Sequence, residues 1–319
     1  MSVLDQSTLR TAYLQACSLD VQALKPGNVS HFAPGYGMTA QDFLDSATHS
    51  VPYLVDEGLH LGDRIELAVA ASLAEVGTNT NLGIVLLSAP LLMGAQKFPQ
   101  LGLDQAVTKV LAATDAADTA AVYSAIRMAN PGGMGEVKEY DLGDTPSVGL
   151  REVMSTAVER DMIALQYSNG YQQIFTQLLP SYELSRDRGL SAADAASELF
   201  LWLLSTYPDS HIQRNHSVAA ASEASAIAGD CLAACQRARD AHAVRAHLLK
   251  LDRAFKDKGY NPGTSADLCV ATFLSSHLRQ QTGFLAGTNP DLSRESKPRS
   301  ARMSQFSISQ LFEGDMQWL

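Results

Sequence analysis

Leu9-Arg10-Thr11-Ala12-Tyr13-Leu14-Gln15-Ala16-Cys17 decides the fold class. Its apolar positions 9, 12, 13, 16 and 17 recur at steps of three and four, which places them on one face of a helix; a half-buried strand would alternate instead. The same spacing returns in Ile65, Val69, Leu73 and Val76. Outward from there, it predicts a first helix that stops before Pro26, whose ring removes a backbone donor and pushes Lys25 out of the helical region. Further helices are expected over about 39–54, 62–76, 82–96, 103–128, 150–167, 170–186, 191–206, 217–239, 240–258 and 264–283. Thr39 followed by Asp42 reads as an N-cap with a carboxylate in the first turn. No alternating β-branched run bounded by hairpin turns stands out. The expected fold is all-α: one globular domain of roughly ten helices over residues 1–283, then a polar tail or docking segment at 284–319.

The chain has 319 residues, 46% of them hydrophobic and 18% charged, the composition of a protein with a sizeable core rather than a disordered polyelectrolyte. A net charge of −10 repels nucleic acid and anionic lipid, so neither is an expected partner, and an anionic substrate must meet a local basic cluster. The longest apolar run, Ile84 to Met93 interrupted by Ser88 and Pro90, is about half of a bilayer crossing. The N-terminus shows neither a basic region nor an apolar stretch before a cleavage site, and the expected location is cytoplasmic. Cys231 and Cys235, four apart in an Ala-rich helical stretch, lack the CxxC spacing of zinc and redox sites and read, with Cys17 and Cys269, as buried small residues. There is no HExxH, no GxxxxGK[ST], and Gly35-Tyr36-Gly37-Met38-Thr39-Ala40 falls short of GxGxxG.

Four polar segments separate the helices. Lys25-Pro26-Gly27-Asn28-Val29-Ser30 joins a mobile cation to a tight turn with unshielded N–H groups, which suits a phosphate; a helix stop beside a solvated lysine has the same appearance. Thr78-Asn79-Thr80-Asn81-Leu82-Gly83 offers more amides and hydroxyls than one cap on the following apolar helix needs, most simply Asn79 or Thr80. Asp209-Ser210-His211-Ile212-Gln213-Arg214 brings a carboxylate, an imidazole and a guanidinium together, a set that can hold chelated phosphate, relay a proton, or form a surface ion pair. Asn261-Pro262-Gly263-Thr264-Ser265-Ala266-Asp267 repeats the Pro-Gly turn ahead of another apolar helix, with Thr264 as N-cap. A fifth segment, Asn130-Pro131-Gly132-Gly133-Met134-Gly135, opens a long loop to about Gly149.

In this order the segments resemble the triphosphoribosyl-dephospho-coenzyme A synthase family, whose members carry a KPG turn, an NT..G segment, a DSH/R segment and a PGxSADL segment. The resemblance spans roughly residues 10 to 283. It implies an all-α transferase that moves the triphosphoribosyl unit of ATP to the ribose 2′-hydroxyl of dephospho-coenzyme A and releases adenine, on the way to a prosthetic group. That reaction needs a general acid near the departing base, carboxylates near the sugar and a base for the hydroxyl. The resemblance places Lys25, Gly27, Asn28, Ser30, Asn79, Asn81, Gly83, Arg214, Gly263 and Ser265 as ATP-binding residues. It makes Asp42, Asp209, His211 and Asp267 the catalytic candidates, with Asp209 and Asp267 on Mg²⁺. A homodimer is an open expectation.

The chain also departs from the better-known members. They read KPGLVD and NTHKG where this chain has Lys25-Pro26-Gly27-Asn28-Val29-Ser30 and Asn79-Thr80-Asn81-Leu82-Gly83, so a histidine and a lysine are gone. It therefore looks like a divergent branch, and three readings stay open. They are the family reaction on dephospho-CoA or a related acceptor, another cofactor-biosynthesis transferase or ligase such as one in a one-carbon carrier pathway, and a nucleotide-binding helical module without turnover.

Overall fold

The computed structural model describes residues 4–132 and 142–282, so the expected tail and part of the Asn130–Gly149 loop lie outside the described residues. Helix α1 (Gln6–Gln22) begins where Asp5 accepts the N–H of Thr8, and it buries Leu9, Ala12, Tyr13, Ala16 and Cys17, the stripe that its period requires. Helix α2 (Ala40–Leu54) opens on a reciprocal capping box: the Thr39 hydroxyl accepts from Asp42 N–H and the Asp42 carboxylate accepts from Thr39 N–H. Helices α3 (Leu61–Val76) and α4 (Leu82–Lys97) follow as the period predicts.

Two expected helices are split. The 103–128 stretch is α5 (Leu103–Ala112) and α6 (Ala116–Ala129), because Asp115 and Asp118 form a second capping box that restarts the chain between them. The 150–167 stretch is α7 (Leu150–Ser155) and α8 (Met162–Asn169), with Asp161 accepting from Ile163 and Ala164 N–H at the new start. A π-helical turn at Ile174–Leu178 leads into α9 (Leu179–Asp187), where Pro180 lacks the N–H that a regular turn would use. Next come α10 (Ala192–Thr206), α11 (Ser210–Asn215), α12 (Val218–Gln236), α13 (Ala241–Lys258) and α14 (Gly263–Thr282). The Asp209–Arg214 segment, read as non-helical, is thus a short helix that Asp209 caps. The described residues form fourteen α-helices rather than ten, and no strand.

Helix α4 is the axis of the core, buried from Ile84 through Gln96 and packed by α3, α5 and α14. Pro90 stands inside it and cannot donate to the carbonyl of Leu86 one turn back. Tyr167 of α8 supplies the missing donor, its hydroxyl 2.6 Å from Leu86 O, and the Tyr171 hydroxyl donates to the next carbonyl, Leu87 O, at 3.0 Å. Burial pushes both phenols well above their ordinary range, so each remains a donor. Helix α12 is long and apolar enough to cross a membrane by length and composition. It carries Glu223, however, which accepts from Lys258 and from the Tyr260 hydroxyl, and it packs against α10 and α13 as a bundle helix. Its Cys231 and Cys235 are half-buried, whereas Cys17 and Cys269 are fully in the core.

Candidate active site

The first turns of α4, α8 and α14 meet at a cavity of about 420 Å³, represented in its wall by Leu82 and Gly83, Asp161 and Ile163, and Gly263, Ala266 and Asp267. Each helix start carries the equivalent of about half a positive charge, so three of them around one space favour an anion, even though the first-turn N–H groups of α8 are already taken by Ser210 and Asp161. Two guanidinium groups reinforce that field, Arg160 and Arg214. Arg214 Nη1 is 2.5 Å from Asp161 Oδ2, while its Nε is buried without a hydrogen-bond partner. The rest of the wall is divided between amides (Asn28, Asn79, Asn130, Asn261) and apolar groups (Met38, Phe43, Ile84, Tyr123, Ile126).

Three titratable groups face this space with different environments. Asp267 has no hydrogen-bond partner among the described residues, and its carboxylate occupies the space where a Cβ on Gly83 would stand. Burial first, and then the charges of Asp20 and Asp209, push its pKa well above the ordinary 3.8, with Lys25 and Arg214 opposing. His211 sets its ring against Gly263, and its Nδ1 is 2.8 Å from the carbonyl of Asn261. A carbonyl only accepts, so Nδ1 carries the proton and Nε2 holds the lone pair in the neutral ring. Asp20, which the sequence reading did not single out, is 2% exposed, and its Oδ1 is 2.6 Å from Lys25 Nζ.

Of the residues expected at a site, Asn28, Asn79, Gly83, His211, Arg214, Gly263 and Asp267 reach the wall. Lys25 does not: it is fully buried and donates to Asp20 Oδ1 and, at 2.7 Å, to Asn28 Oδ1. Gly27 turns the chain at φ +83° and gives its N–H to Asp252 rather than to a ligand. Asn81 is buried with its amide on Phe43 O, and Ser30 is buried beside the turn. The N-cap of α4 is Asn81, which makes no side-chain cap bond, rather than the expected Asn79 or Thr80, although Asn79 Oδ1 accepts from Leu82 N–H at 3.3 Å. Asp42 belongs to the α2 capping box. Asp209 spends both oxygens on four donors, His211 and Ile212 N–H at Oδ1 and Ser265 N–H and Oγ at Oδ2, which ties α11 to α14.

Residues 6–284 match the sequence family described as ATP:dephospho-CoA triphosphoribosyl transferase. The chain belongs to this family. A crystal structure from Archaeoglobus fulgidus, provisionally assigned as a triphosphoribosyl-dephospho-coA synthase, is similar over 73% of this chain and 97% of its own, at 25% identity and a TM-score of 0.58. No curated protein matches the chain. Triphosphoribosyl transfer from ATP to dephospho-CoA, in prosthetic-group biosynthesis, is the activity this transferase family carries.

The family chemistry accounts for a wall that mixes cations, amides and acids, and it puts a demand on metal binding. Among the described residues no three acidic, histidine or cysteine side chains are grouped as a metal centre. Asp209 has no free lone-pair direction, and Asp161 divides its oxygens between the α8 cap and Arg214. A protein-held Mg²⁺ on Asp209 and Asp267 does not fit this donor set. Magnesium that arrives chelated by the triphosphate is compatible with it, since phosphate and water then supply most of the ligands.

Three wall residues had a sequence signal. Asp20 lies three residues after Cys17, on the stripe where another apolar side chain is due, and a carboxylate there is either paired or functional. Arg160-Asp161 precedes an apolar stretch as a cation beside an N-cap.

Proposed function

We propose that this cavity is where the chain carries out the family reaction, with ATP entering as its magnesium chelate in the cytoplasm, where the nucleotide is made and used. The observation that carries the proposal is the convergence of three helix starts and two arginines beside Asp267, a carboxyl group whose pKa burial pushes well above the ordinary 3.8. Arg160 and Arg214, in the field of the positive ends of α8 and α14, take the triphosphate, and the amides of Asn28, Asn79 and Asn261 orient ribose and base.

In the transfer, the bond from ribose C1′ to adenine N9 breaks and a bond from C1′ to the 2′-oxygen of the acceptor ribose forms. Asp267 gives its proton to the departing base, which leaves as neutral adenine, and His211 Nε2 takes the proton of the attacking hydroxyl. The desolvation that keeps Asp267 protonated makes it an acid at a pH where an exposed aspartate is a base. The apolar part of the wall excludes water, which would otherwise compete as acceptor.

Incubation with MgATP and dephospho-CoA, followed by chromatography for free adenine and mass analysis of the acceptor, tests the proposal. Adenine in equal amount to a triphosphoribosylated acceptor is expected. Bound but unconsumed ATP would instead make the chain a nucleotide-binding module.

A further inference from the structure

Lys25 Nζ has no exposure, is absent from the cavity wall, and donates to Asp20 Oδ1 at 2.6 Å and to Asn28 Oδ1 at 2.7 Å. Its two partners, in contrast, are both wall residues. Asn28 passes the network on through its Nδ2, 3.0 Å from Asn261 Oδ1, and the carbonyl of that same Asn261 fixes the His211 ring. A continuous chain of contacts thus runs from α1 through the Lys-Pro-Gly-Asn turn and the loop before α14 to α11. One charge sits at its root, shielded from any ligand.

The second oxygen of Asp20 has no hydrogen-bond partner among the described residues. An ionised carboxylate without its full set of donors is costly inside a protein unless a cation sits against it, and here one does. Asp20 and Asp267 therefore divide the work of two carboxyls at one cavity. Burial raises the pKa of both, but Lys25 in contact opposes it at Asp20, so the negative charge falls to Asp20 and the proton to Asp267. Departure of a base from C1′ leaves positive charge on the ribose ring, and a fixed anion in a water-poor wall stabilises that charge more in the transition state than in bound ATP.

We propose that Lys25 is a positioning residue that touches no phosphate, and that it holds Asp20 as the anion which stabilises the cationic ribose. The proposal rests on the functional reading above for the identity of the sugar. It predicts a preference that can be measured without turnover: the wild-type protein binds a cationic iminoribitol triphosphate more tightly than its neutral carbocyclic counterpart.

Lys25→Met alone strands a buried carboxylate and can fail to fold, so the decisive variant is the double substitution Asp20→Asn with Lys25→Met, which removes both charges together. Circular dichroism and thermal melting establish that it is folded. Calorimetry on the wild type is expected to show at least a tenfold preference for the cationic analogue, and on the double variant none, with the dissociation constant of MgATP within threefold of wild type. A retained preference overturns the role of Asp20. Loss of MgATP affinity by tenfold or more, with the preference intact, overturns the role of Lys25 and makes it a phosphate ligand. If wild-type protein shows the preference yet releases no adenine with dephospho-CoA, the acceptor assignment fails while this inference stands. Absence of any preference in the wild type overturns the inference itself.

Discussion

The carboxylate of Asp267 occupies the volume that a side chain on Gly83 would need. The start of α4 and the start of α14 approach so closely at this point that glycine is required for the acid to sit where it does. Gly83→Ala forces the Asp267 side chain to swing away, because its flexible end is the atom in the way. Turnover should fall about 100-fold, the order of loss that a displacement near 1 Å produces. The melting temperature should change by only a few degrees. A variant with full turnover would remove Asp267 from the reaction.

Asp267→Asn keeps the shape and removes the proton. Turnover should drop by about 100- to 10,000-fold, the usual contribution of a positioned acid, while MgATP still binds. In the wild type, activity should decline as pH rises through the elevated pKa of Asp267, and that alkaline limb should vanish in the variant.

The same substitution should stabilise the fold, with a definite pH dependence. Asp267 has a folded-state pKa above its unfolded value, so the native state keeps a proton that the unfolded chain releases. Stability is therefore fully present below about pH 3.9 and is eroded as pH rises from there toward the folded-state value. Asp267→Asn should melt higher than wild type at pH 7 to 8 and lose that advantage near pH 4. Matched melting curves across the whole range would refute the shift.

Arg214→Met leaves α8 capped by Asp161 but takes a guanidinium out of the wall. A lost charge-assisted contact of roughly 1.5–3 kcal/mol corresponds to about 10- to 100-fold weaker MgATP binding by calorimetry. Unchanged affinity would place the triphosphate elsewhere.

Gly27→Ala meets two obstacles: φ is +83°, and a Cβ would stand 2.6 Å from the carbonyl oxygen of Tyr260. Left-handed strain alone costs about 1–3 kcal/mol, and the carbonyl adds to it. Chemical denaturation should show that loss, with MgATP affinity retained in whatever fraction stays folded.

The all-α class was legible because Leu9, Ala12, Tyr13, Ala16 and Cys17 state a period that only a helix satisfies, and because Thr39 and Asp42 announce a helix start chemically. The break inside 103–128 was not seen, since the apolar period continues across Asp115 and only the Asp115–Asp118 box interrupts it. Motifs located the site to within a turn but did not separate its wall from its frame. His211, Arg214 and Asp267 face the cavity, whereas their motif neighbours Asp209 and Ser265 hold α11 to α14. Nothing local to Lys-Pro-Gly-Asn says whether the lysine turns outward or back onto α1. Its direction is set by Asp20, five residues earlier, a buried acid that needs a cation.

The two tyrosine hydroxyls that reach the α4 backbone around Pro90 come from the last turn of α8 and the residue after its Gly170 cap, while the first turn of α8 lines the cavity. Breaking the Tyr167 bond leaves the Leu86 carbonyl without a donor, so α4 and α8 cannot part without a penalty. On the site reading proposed above, α4 and α8 meet a nucleotide already locked together, so none of its binding energy need go into joining those two helices.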